Sequence, residues 1–255
     1  MRKLAAGFSL FVLLLVFALA FSSPESVNTQ ERLLRPSLVH LFGTDCYGRD
    51  ILRLVASGLS TSLLIALSVT ALSLLLGTLL AFCFSSRKLP VAPFLFISDT
   101  LKAVPGIVLA LFLSSISGPG MAKLCLALAA ANVPNLARTA YSKAPVLREE
   151  AFSKAAEAEG MGETRIFFSH IFPHLWPYLM LQCVSVFSSA VLAEASLSFL
   201  GCGVPLTVPS LGRMLSESRG FLLTAWWTCA FPSAVLFLTG LSLELIGKGA
   251  REIRA

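Results

Sequence analysis

Residues 54–86 read LVASGLSTSLLIALSVTALSLLLGTLLAFCFSS, and none of these side chains carries a charge at neutral pH. At about 1.5 Å per residue, a helix over this stretch is longer than the roughly 30 Å hydrocarbon core of a bilayer, so it can tilt or extend into the interface. In lipid every backbone N–H and C=O must be satisfied within the segment, which makes helix the form it takes. Arg87-Lys88 closes the run. The stretch therefore predicts an all-α, polytopic membrane protein.

Working outward, five more apolar runs fit this solvent. Residues 4–24 carry no charge and follow Arg2 and Lys3. By themselves they suit either a first membrane helix or a secretory signal peptide, with Ala18-Leu19-Ala20 matching the small-x-small cleavage pattern. A third run extends from Pro93 to Ser117. Asp99 and Lys102 near its start are spaced to neutralise each other at the interface, and Pro105 predicts a kink. The fourth run, 124–137, is shorter than the hydrocarbon core is thick, so its helix is expected to extend over Gly120 and Met121 and beyond Arg138, with Lys123 and Arg138 snorkelling. The fifth covers 175–193 and ends at Glu194; the sixth covers 221–243 and ends at Glu244. With the first run retained the chain has six transmembrane helices.

Composition agrees. The chain is 56% hydrophobic and only 13% charged, with a mean hydropathy of +0.80, against about a quarter charged residues in soluble domains. The net charge of +6 does not indicate nucleic acid, because Lys and Arg sit between apolar runs and form no single patch. They record orientation instead. With the N-terminus in the cytoplasm, twelve basic residues fall inside, among them Arg87, Lys88, Arg138, Lys143, Arg148, Lys154 and Arg165. Seven fall outside: Arg32, Arg35, Arg49, Arg53, Lys123, Arg213 and Arg219. This asymmetry favours, as an expectation, both termini in the cytoplasm. The six cysteines form no C-x-x-C pair, so no metal site is expected, and Cys83, Cys125 and Cys183 are expected to pack as small apolar side chains.

The longest charged stretch, 143–174, lies between the fourth and fifth spans. Its composition predicts helix, stop, helix: strong helix formers from Arg148 to Glu159, a left-handed stop at Gly160, and Pro173 limiting the second helix. Phe152, Ala155, Ala156 and Glu159 share one face at helical spacing. Two alanines there would let another surface approach the backbone, while the plain alternative is an ordinary amphipathic loop.

Ala155-Ala156, Gly160 and Ile171-Phe172-Pro173 resemble the EAA loop of binding-protein-dependent ATP-binding-cassette (ABC) importer permeases. Three further stretches resemble the dipeptide, oligopeptide and nickel subgroup, in its order. His40-Leu-Phe-Gly-Thr-Asp-Cys-Tyr-Gly-Arg-Asp-Ile-Leu52 is similar to HPLGTDxxGRD; Glu194-Ala-Ser-Leu-Ser-Phe-Leu-Gly-Cys-Gly-Val204 to EAALSFLGLGV; Pro209-Ser-Leu-Gly-Arg-Met-Leu215 to PSWGxML.

The resemblance implies the type I ABC importer transmembrane fold and the second permease of the pair such systems use. That subunit has one helix before the GTD segment, so the first run is expected to stay as a membrane helix. The division implied is a first helix and external segment over 1–53, then a transmembrane domain over 54–255. It also implies that Phe152, Lys154, Ala155, Ala156, Glu159, Gly160 and Pro173 belong to the loop that docks on the ATPase. Gly43, Thr44, Asp45, Gly48, Arg49, Asp50 and Glu194 are implied as structural motif residues. Implied partners are a homologous permease, one or two ATP-binding subunits, a secreted or periplasmic solute-binding protein, and the cytoplasmic (inner) membrane. The cargo is a peptide, nickel or a related small solute, with peptide the expectation. The chain departs from the pattern at Lys154, where the motif has Glu, at Glu159, where it has Leu, at Gly162, where Ser is frequent, and at Leu211, where it has Trp.

No cofactor is expected on this chain. The string from Gly240 to Gly249 has six residues before Gly247-Lys248 and lacks the Ser or Thr of a phosphate-binding loop, so ATP is expected to be hydrolysed by another chain. His170 and His174 lack the His-Glu-x-x-His pattern of a metal site, and no nucleophile has a matching base. Glu194 is the candidate for a buried, partnered carboxylate at the outer end of the fifth span. Ser185, Ser188 and Ser189 suit helix packing through small polar groups. The reading from another class is a membrane channel or scaffold without an ATPase, for which the loop 148–173 would be dispensable.

Overall fold

The computed structural model describes residues 2–21, 27–85, 106–117, 120–205 and 207–252, together with Phe96 and Thr100. Helix α1 (Arg2–Phe21) is followed by a folded segment containing a single 3-10 turn at Thr29–Glu31. Then come α2 (Ile51–Ser85), α3 (Gly106–Ser117) and α4 (Met121–Glu149). A short helix α5 (Ala151–Ala158) leads to α6 (Glu163–Ile166), which passes through a π-helical turn at Phe167–Ile171 into α7 (Phe172–Phe199). Helices α8 (Leu211–Ser218) and α9 (Trp227–Glu252) complete the chain. Among the described residues the only strand-like pairing is an isolated bridge between Thr44 and Asp50.

Among the described residues each of the six apolar runs contributes a helix, although the sixth begins with turns. Among the same described residues four helical stretches are long and apolar enough to cross a membrane: 4–21, 51–85, 163–199 and 227–252. Helix α4 is long enough but contains Pro134, Pro145, Asn132 and several charges. As expected, it runs past both ends of its short uncharged core. Asp99, Lys102 and Pro105 lie outside the described residues.

Lipid supplies no hydrophobic force between helices, so close packing must hold the bundle together. Helix α1 packs chiefly on α9, α2 on α4 and α7, and α4 on α7. The α1–α9 contact is backbone on backbone: a Cβ on Gly7 would lie 2.8 Å from the Ile246 nitrogen, and one on Gly249 2.6 Å from Leu4. The start of α1 and the end of α9 therefore share one end of the bundle. At the other end the Ser60 hydroxyl of α2 donates to the Ala18 carbonyl of α1 at 3.3 Å. Trp227, opening α9, donates its indole N–H to the Thr44 carbonyl at 3.4 Å.

Three boundaries differ from the sequence reading. The fifth span does not stop at Glu194 but continues to Phe199, where the Gly201 and Cys202 amides close it on the Ser198 and Leu197 carbonyls. The sixth begins at Trp227; residues 219–226 form turns that hydropathy alone cannot separate from helix. Pro173 does not limit a second helix. The chain stays helical from Glu163 to Phe199, with Pro173 in the first turn of α7 just after the π turn. A proline in an α-helix clashes with the carbonyl four residues back and leaves it without a donor. The wider π turn, in which the Phe172 amide bonds to the Phe167 carbonyl, accommodates that defect and lets the rod continue.

Candidate functional site: a loop hairpin and an opposing cap

Two built regions lie at opposite ends of the bundle. The first is the hairpin between α4 and α7. Helix α4 runs to Glu149, so residues 143–149 belong to the rod and not to the loop. At Glu150 the backbone turns extended, and α5 starts at Ala151. The Ser153 hydroxyl, fully buried, donates to the Leu147 carbonyl at 2.8 Å and pins the first turn of α5 to the end of α4.

Helix α5 ends where composition placed the stop. Gly160 has φ +79°, its amide bonds to the Glu157 carbonyl at 3.0 Å, and the Met161 amide bonds to the Ala156 carbonyl at 3.1 Å. This is the double closure of a left-handed glycine cap. A Cβ on Gly160 would meet nothing within 4 Å, so glycine is required by the backbone angle and not by crowding.

The expected docking face is split. Ala156 is buried against the chain's own core, while Ala155 is exposed beside Lys154, Ala158 and Glu159. Phe152 is half-buried, stacking on the exposed His174 ring with centroids 4.6 Å apart at 15°. His174 in turn contacts the His170 carbonyl at 2.8 Å through Nδ1, which occupies it in packing. Lys154, standing where the motif has a carboxylate, pairs with Glu149 at 3.3 Å in exposed surroundings. No group of three or more His, Cys, Asp or Glu suited to a metal occurs among the described residues.

Sequence reasoning did not single out Arg148. Its side chain is 10% exposed, and Nη2 lies 3.1 Å from Glu163 and 3.4 Å from Glu157. The signal was a basic residue at the junction of two helical patterns, followed by two acidic residues further along the loop.

At the far end of the bundle, the GTDxxGRD-like segment forms a cap that starts α2. Gly43 and Gly48 adopt φ +75° and +76°, and a Cβ on Gly48 would overlap the Asn28 carbonyl. Buried Thr44 donates its hydroxyl to the Glu31 carbonyl and accepts from the Leu34 amide at 2.8 Å. Asp45 accepts from the amides of Tyr47 and Arg49 and from the Arg49 guanidinium at 2.6 Å. Arg49 continues to Glu217 of α8 at 3.1 Å. Asp50 caps α2, accepting from the Leu52 amide at 2.9 Å, and its other oxygen lies 2.8 Å from His40 Nδ1. Within this cap the Cys46 thiol is held above the ordinary range, first by burial and then by the Asp45 and Glu217 carboxylates, with Arg49 opposing.

Glu194 is fully buried in α7, one turn and more before the helix ends. It accepts from Ser62 of α2 at 2.6 Å and from Ser198 at 2.7 Å. Gly212 opens α8 against the Ala195 carbonyl, and a Cβ on Gly58 of α2 would lie 3.1 Å from the Leu211 amide. The second and third motif stretches thus meet on one face of α2, where α2, α7 and α8 converge.

Residues 73–248, spanning the hairpin and most of the bundle, match the family model described as "Binding-protein-dependent transport system inner membrane component". The chain belongs to that family. It is an ABC importer permease with the type I membrane fold, and its similarity to curated members is nearly end to end. A dipeptide transport system permease of Alkalihalophilus pseudofirmus is 37% identical, covering 95% of this chain and 81% of the relative. A di/tripeptide transport system permease of Pseudomonas aeruginosa is 33% identical over 98% and 87%. A glutathione transport system permease of Pectobacterium atrosepticum is 32% identical over 98% and 86%.

Proposed function

We propose that this permease imports peptides and that α5 is the element on which a separate ATP-binding subunit acts. The observation carrying the reading is the position of α5. It is a two-turn helix projecting between the ends of α4 and α7, held to α4 by Ser153 and to α7 by the Phe152–His174 stack, with Lys154, Ala155, Ala158, Glu159 and Gly160 left exposed. A push on α5 reaches both rods at once, and these rods bond to each other deeper in the bundle, where Ser189 of α7 donates to Asn132 of α4 at 2.9 Å. ATP binding and hydrolysis in the partner would become a change in the packing of α4, α7 and their neighbours, which opens the path alternately to the two sides.

The wider assembly follows the family pattern: a homologous permease completing the pore, one or two ATP-binding subunits at α5, and a secreted or periplasmic binding protein delivering solute at the capped end. The bundle end carrying α5 faces the cytoplasm together with both termini, in keeping with the basic-residue asymmetry. The relatives transport dipeptides, tripeptides or glutathione by name, so peptide is the cargo class for this chain.

The test is a transporter reconstituted with its partner subunits. Cysteine at Ala158 should cross-link to the ATP-binding subunit, and Gly160→Trp, which projects a bulky ring from the exposed turn, should abolish ATP-dependent peptide uptake. ATP-dependent uptake at the unmodified rate in Gly160→Trp, with no cross-link from Ala158→Cys, would overturn the reading.

A further inference from the structure

The hairpin contains one charged side chain that is almost wholly enclosed. Arg148 is the last but one residue of α4, and the two carboxylates it holds lie on different limbs. Glu157 is on α5, before the glycine stop, and Glu163 opens α6, after it. The carboxylates are themselves about half exposed, at 61% and 48%, while the guanidinium between them is 10% exposed. The cation is thus the buried hub and the anions are its rim. Its Nη1 is also buried, with no partner among the described residues, so this arginine is enclosed at a cost that one exposed ion pair would not offset.

The other ties in the hairpin join two elements each. Ser153 joins α5 to α4, and the Phe152–His174 stack joins α5 to α7. Arg148 joins three: the end of α4, the last turn of α5 and the first turn of the return limb. Both carboxylates meet the same nitrogen, Nη2, so the rigid, planar guanidinium holds one pair of donors between the two limbs, a placement that an ammonium on a flexible stem does not fix.

We propose that Arg148 is the positioning residue of the coupling hairpin, setting the angle of α5 against both rods so that displacement of α5 is transmitted and not absorbed by the turn at Gly160. The inference rests on the reading of α5 as the ATPase-contacting element. It adds that contact alone is insufficient: without the Arg148 clasp, α5 can be moved while α4 and α7 stay still.

The experiment measures peptide taken up per ATP hydrolysed in proteoliposomes holding the complete transporter, together with cross-linking from Ala158→Cys to the ATP-binding subunit. Arg148→Gln should keep the cross-link but lower the transport-to-hydrolysis ratio at least tenfold. Arg148→Lys, retaining charge without the planar group, should recover part of it. Should Arg148→Gln fail to assemble, the double variant Glu157→Gln and Glu163→Gln removes both anions and leaves the arginine in place, and it should show the same loss of ratio. An unchanged ratio in either assembled variant, with the cross-link present, overturns the proposal and leaves the docking reading intact. Loss of the cross-link in the unmodified background would instead overturn the docking reading.

Discussion

Glu194 shows what one residue does when the solvent is lipid. A carboxyl group buried among apolar side chains is costly unless its oxygens are satisfied, and here both accept from serine hydroxyls on two helices. Glu194→Gln keeps a carbonyl acceptor for one serine and should lower the thermal midpoint of the detergent-solubilised permease only slightly. Glu194→Ala strands two hydroxyls and leaves a cavity, so it should cost about 2–4 kcal/mol, read as a clear drop in midpoint. Cys46 supplies a second residue-scale prediction. Burial and two nearby carboxylates raise its thiol pKa, so less thiolate is present at a given pH, and its alkylation rate should rise with pH along a curve displaced upward from that of a free thiol. Arg49→Gln removes the opposing cation and should displace the curve further upward. That a glutamate sat near the end of the fifth span was legible in the sequence. Its partner Ser62 was not, because the two are 132 residues apart.

At the scale of elements, α5 and the α6–α7 rod divide the legible from the hidden. The stop at Gly160 could be read from composition, since a left-handed cap is a local demand on the backbone. The variants weigh that demand: Gly160→Asn tolerates the angle and should retain most uptake, whereas Gly160→Trp strains the angle and also adds bulk to the proposed docking surface, and should not. The continuity through Pro173 was not legible, because proline usually ends a helix. The π turn that carries the helix past it is anchored by packing, with Phe167 buried in edge contact with Phe82 of α2. Phe82→Ala should therefore loosen the junction, seen as faster amide exchange over residues 167–172.

For the whole molecule the decisive observation is which parts share an end. The backbone contact of Gly7 and Gly249 puts the start of α1 beside the end of α9, away from the cap over residues 28–50. Gly7→Leu should wedge these helices apart and reduce the yield of folded permease extracted in mild detergent, while Ala5→Leu, at an exposed position of the same helix, should not. In intact spheroplasts, with other reactive cysteines replaced, an impermeant thiol reagent should reach Cys46 without disruption of the membrane. Labelling that required opening the membrane would reverse the orientation.

The order of residues alone was enough to establish a helical membrane protein, where its six apolar runs lie, and which four stretches resemble the importer permeases. Charge-free length and local backbone demands such as Gly160 are properties of the chain in order. Packing in three dimensions was needed to show that Ala156 faces inward while Ala155 faces out, that Glu194 joins α7 to α2, and that Arg148 gathers three elements of the hairpin. Each depends on how a helix is rotated against its neighbours, and hydropathy, which sums over a window, carries no record of rotation.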